Sequence, residues 1–184
     1  MSYASYASYL LTRPPEGGPY PQVLRTNGRK TRMATVKARP KSWLYRTKVV
    51  WTEARKGRLS CAGKPDLEVA TPPEFGGHEG IWTPEDLFVA SVNVCVMATF
   101  LYYRAKMGIG LVAYESEAEG VLESAEGGFK FTRATIRPRV VVATEADRQK
   151  AEEALRLSDE DCLISRSMDV AVTVEPAVQV GGRG

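Results

Sequence analysis

The feature that most constrains this chain is a long apolar segment that starts at Thr83 and contains Cys95. Thr83 can cap a helix through its hydroxyl, Pro84 suits the first helical turn, and Asp86 follows the cap by three residues. The residues after them are apolar on nearly every helical face. The sequence therefore predicts a helix that ends before Gly108 and is buried on most sides, in a core or between subunits.

Cys95 lies in the middle of this predicted helix and has two interpretations. A buried free cysteine is often an inert small hydrophobe. A reactive one needs a cation, because burial raises the pKa of a thiol and the helix dipole acts mainly in the terminal turns. A guanidinium stays charged in such a place, and Glu85 could hold it through a bidentate pair.

Glu85 and Cys95 are ten residues apart on the same predicted helix. At 1.5 Å per residue they are separated by ~15 Å, too far for direct contact within a straight helix. We therefore expect the Glu85 that lies beside a given Cys95 to come from a partner subunit. The alternative is that Glu85 is a structural acid at a helix start.

The pattern along the rest of the chain predicts an α+β domain with the element order βββ-α-ββ-αα-β. Residues 55–58 form a predicted basic turn, and Pro138 predicts a sheet edge or a bulge in its strand. A short helix that contains Cys162 and Met168 is expected after a cap at 158–161. The predicted strands are 45–52, 59–62, 66–70, 112–122, 129–142 and 170–174, and the predicted helices before Cys162 are 83–107 and 144–157.

We expect one domain over residues 33–180, with an N-terminal extension before it. Residues 1–32 have a Pro/Gly-rich stretch and no sustained periodicity, which predicts a disordered or loosely docked arm. Whether Met33 is the natural start stays open. Residues 181–184 are expected to form a flexible tail.

Charge and hydropathy bear on the partners. Residues 1–58 hold 13 Lys or Arg and two acidic residues (+11), whereas the remainder holds 12 and 20 (−8), which gives the net charge of +3. No nucleic-acid-binding motif accompanies the basic segment, so we interpret it as solvated and do not expect nucleic acid as a partner. We find no signal pattern and no run near the ~20 apolar residues of a membrane span, so we expect a cytoplasmic protein without a membrane partner.

The cysteines do not suggest a disulfide framework or a metal site. Cys61, Cys95 and Cys162 are odd in number and widely spaced, and the single histidine, His78, has no zinc-ligand spacing with them. We therefore expect no metal and no bound organic cofactor. Cys61 is expected to be structural, and His78 to be a loop residue near the entrance of the site.

Several motifs, taken together in order, resemble the OsmC/Ohr family of osmotically inducible protein C and organic hydroperoxide resistance proteins. The resemblance extends over about residues 40–176. Its motifs are the segment 45–58, the loop 71–77, the helix start 83–88, Cys95 ten residues after Glu85, and a distal Cys162 followed by Ser165.

This resemblance implies an OsmC-like fold, in which antiparallel sheets wrap around long central helices in an intertwined homodimer. It also implies a cysteine-based peroxidase that reduces organic hydroperoxides to alcohols at the subunit interface. By position, Cys95 would be the peroxidatic cysteine, Cys162 its resolving partner in a disulfide, and Glu85 the helix-start carboxylate. Arg55 would be the active-site arginine, with Arg58 as the alternative, and a dithiol, suggested to be of the lipoyl type, would be the reductant.

The sequence departs from the family pattern at Leu163, where a proline often follows the second cysteine. A second function stays open beside the first. It is a non-catalytic small-molecule-binding or redox-sensing protein on the same scaffold.

Overall fold

The computed structural model describes residues 42–125 and 127–181. The chain divides into two units, residues 1–45 and 46–184, and residues 42–45 of the first unit have no regular secondary structure. The account below concerns the second unit. The sequence also predicts a turn at 126–128 between the strands 112–122 and 129–142, but its first residue, Glu126, lies outside the described residues, and so do residues 1–32 and 182–184 with the predictions made for them.

The second unit begins with a three-stranded antiparallel sheet of β1 (Lys48–Trp51), β2 (Lys56–Ser60) and β3 (Leu67–Ala70). A tight turn joins β1 to β2, and Ala54 has a positive φ of 39° there. The predicted basic turn at 55–58 is wrong beyond Arg55, because the strand already starts at Lys56. All four residues of β1 are exposed in the single chain.

The predicted central helix is confirmed as α1 (Pro84–Met107). The Thr83 hydroxyl accepts a hydrogen bond from the Asp86 amide (3.1 Å), and an Asp86 carboxylate oxygen accepts one from the Thr83 amide (2.9 Å). These reciprocal bonds satisfy backbone donors that a helix start would otherwise leave unpaired. Gly108 ends the helix with a φ of 63°, in the left-handed conformation that glycine adopts at low cost.

Within one chain the surface of α1 is not buried on most sides by a core, and the alternative of burial between subunits stays a prediction. Within one chain the helix buries a single stripe, made of Val92, Val96, Thr99, Phe100 and Tyr103, and leaves Val94 57% exposed. By length and composition α1 could also cross a membrane. The expectation that no segment is long and apolar enough for a membrane span was therefore wrong. Core helices of soluble proteins meet the same criterion, and this finding alone assigns no membrane role.

A long hairpin of β4 (Leu111–Ala125) and β5 (Gly128–Val142) packs against α1. Gly120 makes the close approach possible, because a Cβ at this position would lie 2.5 Å from a Val89 methyl carbon and 2.9 Å from the Phe131 ring. The rings of Phe88 and Phe131 stack beside it, with centroids 4.5 Å apart. The hairpin thereby fixes the position of the first half of α1.

Pro138 does not mark an edge or a bulge, contrary to the prediction. β5 is a central strand that pairs with β4 on one side and runs parallel to β6 (Ala171–Val174) and β7 (Ala177–Val180) on the other. β6 pairs with residues 133–136 and β7 with residues 139–142. Pro138 falls in the gap between these two ranges, so neither strand needs a backbone N–H from it. The second sheet is therefore mixed, and β7 is an additional strand that the predicted element order lacks.

Two helices return the chain from β5 to β6. The helix α2 (Glu145–Glu160) extends three residues beyond its prediction, and α3 is the short helix Leu163–Ser167. Ser158 does not cap a new helix, because it lies inside α2 and its hydroxyl donates to the carbonyl of Ala154. Cys162 is the N-cap of α3 itself.

The buried side chains form two clusters along α1. One joins the second half of α1 to α2 and the end of β5. The other brings Val92 and Val96 together with Ala134 and Ile136 of β5 and with Cys162, and Cys95 packs against it. The fold therefore brings the two cysteines, 67 positions apart in the sequence, into one cluster.

Candidate active site: two facing thiols

The core of the candidate site is a hydrogen bond between the side chains of Cys95 and Cys162. The two thiols are free in the structure, as is that of Cys61. Cys95 acts as the donor and Cys162 as the acceptor, and this bond is the largest influence on the pKa of each thiol. Two cysteines in this contact can exchange a proton and are near enough to form a disulfide after a small movement.

The surroundings of Cys162 stabilise its thiolate. Its sulfur accepts the Cys95 S–H and, at 3.4 Å, the backbone N–H of Ser165. These contacts lower the pKa of Cys162 to about 6, although burial acts in the opposite direction. The residue is fully buried, so a molecule in solution does not reach this sulfur directly.

Cys95 has the opposite character. Donation of its proton to Cys162, together with burial, raises the pKa of Cys95 far above its ordinary value. The backbone N–H groups of Leu163 and Ile164 point to its sulfur and act the other way. Leu163, which stands where the family often has proline, therefore supplies a backbone N–H near the Cys95 sulfur that a proline would lack.

Cys95 is only partly buried, unlike Cys162. It is thus the more accessible of the two sulfurs, although its raised pKa disfavours the thiolate form. The sequence indicated that a buried Cys95 would have a raised pKa, but nothing in the sequence could show that the acceptor of its proton is Cys162.

The structure does not bring Glu85 to Cys95 within one chain. Both residues lie on the unbroken helix α1, so ten residues of helix, ~15 Å, separate them as the spacing predicted. Glu85 instead lines a cleft at the start of α1, where its Oε2 is buried and has no hydrogen-bond partner. A buried carboxylate oxygen without a partner is costly, so this oxygen is open to a hydrogen-bond donor.

Arg55 lies in the turn between β1 and β2, and its Nη1 donates a 2.5 Å hydrogen bond to the carbonyl of Phe75. Phe75 lines the same cleft as Glu85, so the guanidinium lies near the rim of the cleft. Arg58 lies within β2, opposite Val50 and Glu68, and is not among the residues that line the cleft. Of the two candidate arginines, Arg55 is therefore the one that contacts a residue of the cleft.

The cleft has a volume of about 950 Å³ and is open to solvent. One wall is the loop that contains His78, a second is the first half of α1 with Asn93, and a third is the β4–β5 hairpin. His78 is a loop residue, as predicted, and it lines this cleft, but its position near the entrance of the active site stays a prediction. The aromatic side chains of the lining are Phe75, Trp82, Phe129 and Phe131, and its carboxylates are Glu74, Glu79, Glu85 and Asp86.

Neither cysteine lines this cleft in the single chain. Cys61, the third thiol, directly follows β2 and does not belong to the pair. Among the described residues, no group of three or more His, Cys, Asp or Glu side chains is arranged to hold a metal ion.

Sequence reasoning missed a polar network beside Cys162. The Tyr103 hydroxyl on α1 donates to Asp161, which in turn contacts Arg166. The sequence suggested a cap at 158–161 but not these contacts. No local pattern reports a contact between side chains 58 positions apart.

The architecture and the site define a class: an α+β domain in which a long central helix carries a thiol that faces a second, buried thiol. The sequence profile of the OsmC-like protein family matches residues 77–177, more than half of the chain. The chain therefore belongs to the OsmC-like family.

Individual relatives agree with this assignment. The uncharacterized protein YmaD of Bacillus subtilis is 24% identical over 126 residues, which cover 66% of this chain and 84% of YmaD. An OsmC-like protein of unknown function from Vibrio cholerae has a TM-score of 0.68 and 23% identity, over 74% of this chain and 100% of the other. An organic hydroperoxide resistance protein OsmC from Legionella pneumophila, described as a predicted redox protein, has a TM-score of 0.58 and 26% identity, over 75% and 99% of the two chains.

Proposed function

We propose that this chain is a thiol peroxidase that reduces organic hydroperoxides to alcohols, with Cys95 as the peroxidatic and Cys162 as the resolving cysteine. The observation that carries the proposal is the hydrogen-bonded pair of free thiols, one fully buried and the other partly accessible. The similarity to a hydroperoxide resistance protein supports it.

The reaction has two steps at the pair. The Cys95 thiolate attacks the terminal oxygen of the hydroperoxide, so that an S–O bond forms, the O–O bond breaks, and the alkoxide leaves and takes a proton from water. Cys95 is then a sulfenic acid, oxidised by two electrons. The Cys162 sulfur attacks it, an S–S bond replaces the S–O bond, and the hydroxide leaves with the Cys162 proton as water. A dithiol, which we propose to be of the lipoyl type, restores the pair by thiol–disulfide exchange.

The first step requires a proton to move from Cys95 to Cys162 across their hydrogen bond. The pKa of Cys95 is raised and that of Cys162 is lowered by their mutual contact, so a thiolate is favoured on Cys162 rather than on Cys95. A guanidinium beside Cys95 would shift the proton, because it stabilises the nearer thiolate. We assign this role to Arg55, held by Glu85, and the buried and unpaired Oε2 of Glu85 supports the assignment.

We further propose that the site is completed in a homodimer. Within one chain, Glu85 and Arg55 are near the cleft and Cys95 is not, so a second subunit is needed to join them. Val49 and Trp51 of β1 are 62% and 71% exposed, which is unusual for large apolar side chains of one strand and fits burial against a partner.

A second candidate function is redox sensing without rapid turnover. It is favoured by the position of the thiolate on the fully buried Cys162 in the single chain, which would make the first step slow. The two functions differ in rate, since both would end in the same disulfide.

The test is the loss of peroxide in the presence of dihydrolipoamide, with cumene hydroperoxide and hydrogen peroxide as substrates. We expect rapid loss of cumene hydroperoxide that Cys95→Ser abolishes, whereas Cys61→Ser leaves it unchanged. A Cys95-dependent disulfide that forms only over many minutes would favour the sensor. Absence of any Cys95 oxidation would overturn both functions.

A further inference from the structure

The segment that contains Cys162 is tied to α1 by a buried carboxylate. Asp161 precedes Cys162 and is 7% exposed. Its Oδ2 accepts a 2.5 Å hydrogen bond from the hydroxyl of Tyr103, and its Oδ1 lies 3.3 Å from Nη2 of Arg166. We refer to the contact between Tyr103 and Asp161 as the clasp.

The clasp connects the two pieces of backbone that carry the reactive sulfurs. Tyr103 is eight residues after Cys95 on α1, ~12 Å farther along the same rigid helix. Asp161 is bonded to Cys162 through one peptide link and is itself held at the end of α2, where its amide donates to the Leu157 carbonyl (2.9 Å). A shift of Asp161 relative to α1 would therefore displace Cys162 relative to Cys95.

Arg166 closes the other side of this segment. Its amide donates to the Cys162 carbonyl (3.1 Å), while its guanidinium neutralises the Asp161 carboxylate. The cation offsets the charge that a carboxylate next to Cys162 would otherwise place beside the thiolate.

We propose that Tyr103 and Asp161 are positioning residues for the disulfide-forming step, which rests on the function proposed above. Attack on a sulfenic acid needs the two sulfurs within a narrow range of distance and angle, and a disulfide tolerates little misplacement of its backbones. The clasp holds Cys162 in that range. It has no contact with the peroxide and does not act in the first step.

The test is Tyr103→Phe, which removes one hydroxyl and keeps the ring in the core. Its matched control is Tyr102→Phe, because the adjacent Tyr102 hydroxyl is buried and has no hydrogen-bond partner. For each protein, cumene hydroperoxide is mixed with the reduced dithiol form, the first step is followed by loss of peroxide, and disulfide closure is followed by mass spectrometry of samples trapped with dimedone.

We expect closure in Tyr103→Phe to be slower by about tenfold or more and dimedone-labelled Cys95 to accumulate, with the first step within about twofold of the wild type. Tyr102→Phe should match the wild type in both steps. Asp161→Asn, which weakens the clasp from the other side, should also slow closure, and only closure is compared for this variant because loss of the Asp161 charge beside Cys162 also affects the first step.

Closure in Tyr103→Phe at the wild-type rate would overturn the proposal, and so would equal slowing of both steps. Failure of the proposed function would look different, because the wild type would not be oxidised by cumene hydroperoxide at all. In that case diamide replaces the peroxide: one thiolate adds to it, the second thiol displaces the adduct, and the disulfide forms with release of the hydrazine. The same contrast between the two tyrosine variants is then expected for the displacement.

Discussion

At the scale of single residues, the distribution of one proton decides how the pair behaves. A thiolate is favoured on Cys162, because its contacts with the Cys95 thiol and with the Ser165 backbone N–H lower its pKa, whereas the contact with Cys162 and burial raise the pKa of Cys95. The more accessible thiol, that of Cys95, therefore favours its protonated form, and a nearby cation would be needed to favour its thiolate.

This arrangement predicts the titration of the pair. With Cys61 replaced by serine to remove the third thiol, the thiolate absorbance at 240 nm should appear with a midpoint of about pH 6 and fall away below it, because Cys162 is then protonated. Cys95→Ala removes the main cause of the lowered pKa, so the midpoint should move up toward the ordinary value of 9.0. A midpoint that stays near 6 without Cys95 would show that backbone contacts alone hold the thiolate.

A second residue-scale prediction separates the two arginines. Arg55→Ala should lower kcat/KM for cumene hydroperoxide by about 100-fold, as expected when the group that stabilises a developing charge is removed. Arg58→Ala is the matched control and should stay within about threefold, since Arg58 lies within β2 and away from the cleft. Equal effects of the two substitutions would contradict the assignment of Arg55.

At the scale of elements, local rules predicted α1 and its ends but not its neighbours. The capping box at Thr83 and the turn at Gly108 are decided by residues close in sequence, so both were predictable. The role of Pro138 was not, because the gap between β6 and β7 that accommodates it is formed by residues more than 30 positions later. The clasp escaped prediction for the same reason.

The close contact of α1 with β4 gives a prediction about packing. Gly120→Ala should destabilise the fold by roughly 1–3 kcal/mol, because the new methyl overlaps with Val89 and Phe131. The double variant with Val89→Ala restores the space and should recover part of the loss. Thermal unfolding of the three proteins measures this, and a single variant as stable as the wild type would show that the helix moves away at no cost.

The charge of the cleft gives a prediction about substrates. Four carboxylates line it and no Lys or Arg does, among the residues the structure describes. These carboxylates should repel the carboxylate of a free fatty acid but not its methyl ester. The hydroperoxide of methyl linoleate should therefore react with a kcat/KM about tenfold above that of the hydroperoxide of linoleic acid, and added salt should reduce this difference. Glu79→Gln should also reduce the difference in kcat/KM between the two substrates. The control Glu145→Gln, on α2, should leave the difference unchanged. A higher kcat/KM for the free acid would contradict this account of the cleft.

At the scale of the whole molecule, the single chain does not bring together all the residues of the site that we propose. The thiol pair is complete, whereas Glu85, Arg55 and the cleft lie elsewhere on the surface. The sequence predicted this division from the spacing on α1, because ten helical residues cannot bring Glu85 to Cys95. It could not predict which thiol holds the proton, since that depends on the fold around α3.

A homodimer should therefore be required for activity. Val49→Glu places a charge on the exposed apolar strand β1 and should convert a dimer into monomers in sedimentation velocity, with loss of peroxidase activity. Lys150→Glu, on the exposed side of α2, is the control and should leave both unchanged. An active monomeric variant would contradict the proposal that two subunits form one site.

The most direct test of the account is to identify the product of a single turnover. Reduced protein is mixed with one equivalent of cumene hydroperoxide without reductant, and the peptides are mapped by mass spectrometry. We expect an intramolecular Cys95–Cys162 disulfide, one cumyl alcohol per disulfide, and Cys61 still reduced. Alcohol formed without this disulfide, or a disulfide that includes Cys61, would contradict the central claim that the facing thiols are the catalytic pair.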